Sequence, residues 1–480
     1  MRAPLLALGL TCVSLVPALA AAQSVAPAPS VPASSELPPA PSLEDHLSVA
    51  GGLRVGDVVQ AVVDTSHDRA ARLAEVSAAR TEIDRAGYGF VPRLGVSVGY
   101  TRLSEIEAPV LGVLAAPADQ RQRGLLPSGA PLVAVPLAFP VILDQTQVRA
   151  QLVIPVTDYF LRVLPARDAA EHGASAGEAL VEVSEQRLAL EAETLYWGWA
   201  RASLGIVVAE QALAAARAHR DDAERLAGAG IAVATDLARA EAQVAAMEEL
   251  VATTTHARDA AADRLRTVMH VERIPSGVGE ALASVDDEVA LEQAVELALA
   301  RRPELRALDE QLAALEAQRT LQTAGMIPRV DVVGEALLAN PNPRYVPQTE
   351  RFDFTWAVGA QASWQLADAL SAEASGRALE ARIGTVREQR DLAREGLRAE
   401  VVDAHRAILD ARVSRSSREA QVRAAERTLE LAGALYRAGR GTSLVVIDAQ
   451  TLLVRARLDL LAARIDGQVA RARLRRATGE

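Results

Sequence analysis

Apolar and polar positions alternate with period two in four short segments of this chain, as half-buried strands do. In Leu94-Gly95-Val96-Ser97-Val98-Gly99-Tyr100 the apolar side chains fall on one face, against Gly and Ser on the other, continuing to Thr101. The second segment sets Val148, Ala150, Leu152, Ile154 and Val156 against Arg149 and Gln151. The third, from Val330, is weaker, with Asp331 and Glu335 on its polar face. The fourth alternates from Phe352 through Phe354, Trp356, Val358 and Trp364 to Leu366, against Asp353, Thr355, Gln361 and Gln365. Most of the remaining chain carries the helical period. Asp158 to Ala227 and Asp368 to Ala438 predict very long helices, each roughly 100 Å if continuous at about 1.5 Å per residue. Gly173, Gly177, Gly376 and Gly384 are expected to interrupt their first turns. Each long helix ends at a Gly turn and is followed by a returning helix. Val446, Ala449, Leu453, Ala456, Leu460, Ala463, Gly467, Ala470 and Leu474 follow alternating spacings of three and four. Such a stripe suits left-handed coiled-coil contact, and equally the core of an ordinary helical bundle.

The chain is written twice. Leu53 to Tyr100 lies on Val289 to Ala336 without a gap, sharing Pro92-Arg93 and Pro328-Arg329. Further marks in register are Gln151 and Asp158 with Gln361 and Asp368, then Leu226, Ala229 and Gly230 with Leu435, Ala438 and Gly439. The first copy, 53–288, should hold a helix, a β-hairpin over 93–156 and a helical hairpin over 158–271. The second, 289–480, should hold a helix, a β-hairpin over 329–366 and a helical hairpin over 368–476. The first copy has an extra Pro-rich apolar segment within about 104–147, expected to form in part an extended external loop.

Composition then bears on where such strands live. Only 3% of the 480 residues are aromatic, and eleven of the fifteen aromatics lie in or beside the strand segments, Tyr100, Phe352, Phe354, Trp356 and Trp364 among them. A soluble sandwich would bury such rings, whereas a membrane barrel sets them on the lipid face. Residues 1–22 read as a secretory signal peptide: Arg2, the apolar run Leu5 to Leu19, and Ala20-Ala21-Ala22 before Gln23. A Pro-rich linker follows over 23–52. No later segment has the long uncharged run of a spanning helix. Four strands cannot close a membrane barrel, since the smallest use about eight. Copies must share one, and three would supply twelve strands without a free edge.

Other chemistry is thin. All 51 basic residues are Arg, so there is no P-loop or Schiff-base lysine. The single Cys, Cys12, lies inside the leader, which excludes an internal disulfide or a Cys-based metal site. The net charge of −11 argues against nucleic acid. No metal spacing joins the seven His, and no cofactor or catalytic motif is expected.

The arrangement resembles the TolC-like outer-membrane efflux proteins, over about 53–476. Its most specific marks are Gly230-Ile231-Ala232-Val233-Ala234-Thr235-Asp236-Leu237, and Tyr436-Arg437-Ala438-Gly439 followed by Thr442 and Ile447-Asp448-Ala449-Gln450-Thr451-Leu452. The resemblance implies a mainly α chain with a small β part. It implies a homotrimer whose twelve-stranded barrel sits in the outer membrane of a Gram-negative bacterium, with a helical barrel in the periplasm. It also implies a periplasmic adaptor protein and an inner-membrane pump as partners. In the family, links between helix pairs and aspartate rings hold the tip closed. Thr235 and Tyr436 match one linked pair. Asp236 matches the acid of a second, whose Arg partner falls on Gly441, leaving Arg440 one residue earlier as the substitute. Asp448 matches one ring aspartate; the other position is Val445. The bland alternative makes Asp448 a solvated helix residue and Asp236 a local helix-start residue. Competing functions are a periplasmic adaptor, which needs one helical hairpin and more strands, and a secreted structural coiled coil, which needs no lipid-facing strands. The cargo is not written in the sequence.

Overall fold

The computed structural model describes residues 46–105, 110–118, 125, 128–138, 141–282 and 290–480. The expected leader, most of the linker and Phe139 lie outside the described residues. The first copy runs α1 (Val55–Thr65), α2 (His67–Gly87), β1 (Arg93–Arg102), β2 (Val110–Pro117), β3 (Leu132–Ala138), β4 (Asp144–Ile154), a single turn α3 (Val156–Asp158), then α4 (Leu164–Gly228) and α5 (Ala234–Met269). The second runs α6 (Leu291–Arg301), α7 (Pro303–Thr323), β5 (Arg329–Asn340), β6 (Asp353–Ser363), α8 (Leu366–Arg437) and α9 (Ser443–Thr478). The chain is therefore mainly helical with a small β part.

The two copies break at equivalent places for different local reasons. Between α1 and α2, Ser66 leaves the helical region and its hydroxyl accepts from the Arg69 amide. Between α6 and α7, Arg302 is extended because Pro303 follows it, and the proline starts the next helix. The helix turns obey one rule in both copies: Gly230 (φ 71°) and Gly439 (φ 67°) take the left-handed conformation that ends α4 and α8 and releases the return.

The long helices differ from expectation in one respect. Gly173 and Gly177 lie within continuous α4, and Gly376 and Gly384 within continuous α8. The interruption is a π-helical turn, Tyr159–Val163, ahead of α4. An isolated Gly weakens a helix by only about 1 kcal/mol, which packing along 65 and 72 residues readily offsets. The second and fourth strands are also shorter than the alternation suggested. Pro155 stops β4 before Val156, and β6 begins at Asp353. Part of the segment 104–147 forms a second, two-stranded sheet, β2 with β3.

The main sheet is antiparallel in the order β1-β4-β5-β6. The helices beneath it keep the same order, with α4 packed on α2 and α7, and α7 on α8. Farther down, α4 packs on α5 and α9, and α8 on α9. The expected stripe on α9 faces these contacts: Val446, Ala449, Leu453, Ala456, Ala463 and Ala470 are all buried. Where α1 crosses α4, the largest apolar core gathers Val58, Tyr196, Trp199, Leu204, Leu265 and Ile465. Tyr196 is fully buried there and donates its hydroxyl to the Leu53 carbonyl at 3.0 Å.

Candidate channel wall and helical tip

Strand register sorts the sheet into two unlike faces. One face stacks Leu94, Leu152, Gly334 and Val358 in a row; the next row is Val96, Ala150, Ala336 and Trp356; the next is Val98, Val148, Leu338 and Phe354. The other face places Gly95, Gln151, Glu335 and Ala357 in one row, and Ser97, Arg149, Leu337 and Thr355 in another. The apolar face is bare. Val98 is 73% exposed, Trp356 70%, Tyr100 65%, Phe354 59% and Trp364 53%. The four aromatics away from the strands behave oppositely: Tyr196, Trp197, Trp199 and Tyr436 are at most 5% exposed. Rings that pack on protein are therefore buried in this chain, while those on the sheet face outward. Phe352, expected with the strand, precedes β6 and is also exposed. Among the described residues no helix is long and apolar enough to cross a membrane.

The polar face is not bare everywhere. After β5 the chain turns back over it. The Asn342 amide nitrogen donates to the Asp353 carbonyl at 2.9 Å and to the Thr355 hydroxyl at 3.2 Å, and its oxygen accepts from the Arg344 amide. The Arg344 guanidinium reaches Glu335 at 2.8 Å, and Glu335 also lies 3.7 Å from Arg149. Leu337 and Ala339 are thereby covered. No sequence signal marks this inward fold, because Asn342 reads simply as a turn residue.

A buried carboxylate sits where the sheet meets the helices. Asp158, 5% exposed, accepts from Arg162 at 2.7 Å on its own turn. It also takes both arms of Arg329 at the start of β5, at 3.2 and 2.9 Å. The Val330 amide donates to the neighbouring Thr157 hydroxyl. Burying a carboxylate without such partners would be costly.

The helix turns lie at the far end of the long hairpins. Thr235 is exposed on the first turn of α5. Asp236 follows it, half-buried, and its carbonyl accepts from the Ser443 hydroxyl at 3.3 Å. Tyr436 is buried against the ring of His219, with centroids 4.9 Å apart. Its hydroxyl is enclosed beside Ser443 and makes no hydrogen bond to Thr235, so the Thr235–Tyr436 link is not made within one protomer. Burial raises the phenol pKa, with Asp236 and Asp222 adding to the effect. Arg440 is exposed, and among the described residues it makes no ion pair with Asp236 inside the protomer. Asp448 is exposed on α9, on the face shared by Val445 and Leu452. The sequence reading overlooked His219. Its Nε2 lies 2.8 Å from the Ser443 hydroxyl, joining α4 to the start of α9. Burial lowers the imidazole pKa, opposed by the carboxylates of Asp222 and Asp236. A separation of 224 residues hides that pair from any local motif. No group of three or more metal-ligating side chains occurs among the described residues.

Residues 294–480 match the family model for outer membrane efflux protein. No curated protein matches the chain. Solved structures of outer-membrane channels share the fold. A CusC structure described for transmembrane channel formation superposes with a TM-score of 0.70 at 16% identity, covering 88% of this chain and 92% of that one. VceC of Vibrio cholerae gives 0.66 at 16%, covering 88% and 96%. The open state of MtrE from Neisseria gonorrhoeae gives 0.62 at 17%, covering 89% of each. The resemblance read from the two helix turns thus extends to the fold of the whole described chain.

Proposed function

We infer that this chain is an outer membrane efflux protein and that three copies of it close into one exit duct across the outer membrane. The observation that carries this reading is the open sheet. It has an apolar face with nothing packed on it and two free edges, β1 and β6. Left in water, such a sheet exposes rows of unpaired backbone groups and a large apolar surface. Closed as a ring in lipid, both costs vanish. The long helices agree. Leu370, Leu392, Leu409, Val413, Leu431 and Leu435 of α8 are exposed and fall within an arc of about 100°. That arc lies away from buried Ile383, Val401 and Ile408, and a neighbouring copy would cover it.

The polar sheet face then lines the lumen. Twelve strands about 4.8 Å apart, tilted by about 40°, give a backbone radius of roughly 12 Å. The Asn342–Arg344 loop lies inside that ring and narrows its outer mouth. At the other end, three Asp448 carboxylates form a cation-attracting ring, and Thr235, Asp236 and Arg440 hold neighbouring copies closed, while Tyr436, buried against His219, braces its own hairpins. Opening is a realignment of helices driven by contact with a periplasmic adaptor and an inner-membrane pump. The duct is passive and carries out no covalent chemistry; the pump supplies the energy. A periplasmic adaptor is disfavoured because the chain folds as two long helical hairpins joined to one sheet. Membrane fractionation tests the reading. The chain should enter the outer-membrane fraction and leave it in detergent as a trimer. A water-soluble monomer would overturn it.

A further inference from the structure

The two copies supply a template for the junction that one protomer cannot show. Moving by 236 residues carries β1 onto β5, since Arg93 and Arg329 open those strands. Moving by 210 residues carries the end of β4 onto the end of β6, and Asp158 onto Asp368. These offsets can be checked inside the protomer. In the first hairpin Arg93 faces Val153; in the second Arg329 faces Ser363, the residues the same two offsets require. The hairpins are therefore equivalent to the residue.

Within the protomer, β4 of the first hairpin pairs with β5 of the second. The equivalent contact for β6 is a β1 strand, and the protomer's own β1 lies at the opposite edge of the sheet. A neighbouring copy must supply it. We propose that β6 pairs with β1 of the next copy in one fixed register, setting Ala362 opposite Val98 and Ser363 opposite Ser97, and that Asp368 takes Arg93 of that copy as Asp158 takes Arg329. This rests on the trimeric duct above and specifies how its ring closes.

Three observations support the register. The transfer maps Leu152–Gly334 onto Ala362–Val98, and Val153–Val333 onto Ser363–Ser97. It keeps the faces: Ala362 and Val98 both belong to the apolar side, and Ser363 and Ser97 both to the polar side. A slip of one residue would mix them. Small residues also meet large ones on the apolar side, with Ala360 opposite Tyr100 and Ala362 opposite Val98. The charges follow the same logic. Arg93 and Asp368 are both exposed, each at the edge that the other's strand would cover, and neither makes an ion pair within the described protomer. Their counterparts form the tight bidentate pair at the Asp158 junction. Arg162, the third member of that junction, has Ala372 as its counterpart. The closing pair therefore lacks one cation, and the seam between copies is the weaker of the two junctions.

The mature chain should contain no cysteine, so introduced thiols report cleanly. Full-length chains carrying Ala362→Cys with Val98→Cys, or Ser363→Cys with Ser97→Cys, are oxidised in native outer membranes and run without reductant. The two pairs cover both spacings of an antiparallel ladder. Covalent dimers and trimers are expected from at least one pair. None are expected from Ala362→Cys with Leu94→Cys, displaced by about 13 Å along the strand. Crosslinks only in the displaced pair, or in no pair while the unmodified chain is trimeric, would overturn the register. A monomeric unmodified chain would overturn the duct and the register together. For the charges, Asp368→Arg and Arg93→Asp should each lower the temperature at which trimers dissociate, and the double variant should recover it. Failure of the double variant to recover would remove the ion pair.

Discussion

Two adjacent residues of β6 should differ sharply in their tolerance of one substitution. Val358 is 70% exposed at the middle of the apolar face, and its cross-strand neighbour is Gly334. Val358→Arg places a guanidinium near the bilayer midplane, which costs about 2–4 kcal/mol in a membrane barrel. A ring of three carries three copies, so roughly 6–12 kcal/mol opposes assembly if the ring forms as one unit. Ala357 points the other way, directly opposite Glu335. Ala357→Arg faces the lumen and a carboxylate, where a cross-strand ion pair contributes roughly 0.2–1 kcal/mol. The gain sits at the low end because Arg149 and Arg344 already surround Glu335. The assay is the yield and heat resistance of detergent-extracted trimers on a semi-native gel. Val358→Arg should abolish or sharply reduce trimers, and Ala357→Arg should leave them near the unmodified yield. Equal tolerance of both would refute a lipid-facing sheet. The reverse ranking would show that the two faces have been assigned the wrong way round.

Three further outcomes follow from the tip and the mouth. His219 carries a lowered pKa, so the folded tip resists the proton that the unfolded chain accepts near its ordinary value of about 6.5. Above that pH both states are neutral; below it the tip loses stability until the folded site also protonates. Hydrogen-exchange protection at the 229–233 turn, corrected for the intrinsic pH dependence of amide exchange, should therefore decrease from pH 7.5 to 5.5, and His219→Gln should flatten the change; an equal decrease in both chains would exclude His219. Asp448→Ala should weaken block by multivalent cations at least ~tenfold, since each carboxylate at about 6 Å in water holds a unit charge with roughly 0.7 kcal/mol; unchanged block would place Asp448 outside the pore. Arg344→Ala removes the guanidinium that reaches Glu335 across the polar face while leaving the Asn342 bonds in place, and single-channel conductance should rise; an unchanged value would mean that the Arg344 side chain does not narrow the mouth.

The parts of this fold that were legible in the sequence are those encoded locally. Period-two alternation located the strands because each side chain reports its own face. Gly230 and Gly439 marked the helix ends because a left-handed turn favours glycine. The gapless match of 53–100 to 289–336 anticipated equivalent strand starts, whereas the single helix expected ahead of each first strand is two, α1 with α2 and α6 with α7. What escaped depends on contacts between distant segments. The His219–Ser443 pair and the Asp158–Arg329 junction span 224 and 171 residues. Their residue types have ordinary helix-surface or strand-end roles until the chain folds. The glycines near the start of α4 and α8 misled for a related reason: local propensity disfavours them, yet tertiary packing keeps the helix continuous. The tip residues show the same limit from another side. Tyr436 was legible as a tip residue, but its burial against His219 within one protomer was not.

The duct itself is tested most directly by electrical recording. Trimers purified in detergent and added to a planar bilayer should give discrete, uniform conductance steps without any energy source. A chain that leaves the membrane without detergent, stays monomeric and produces no steps would contradict it.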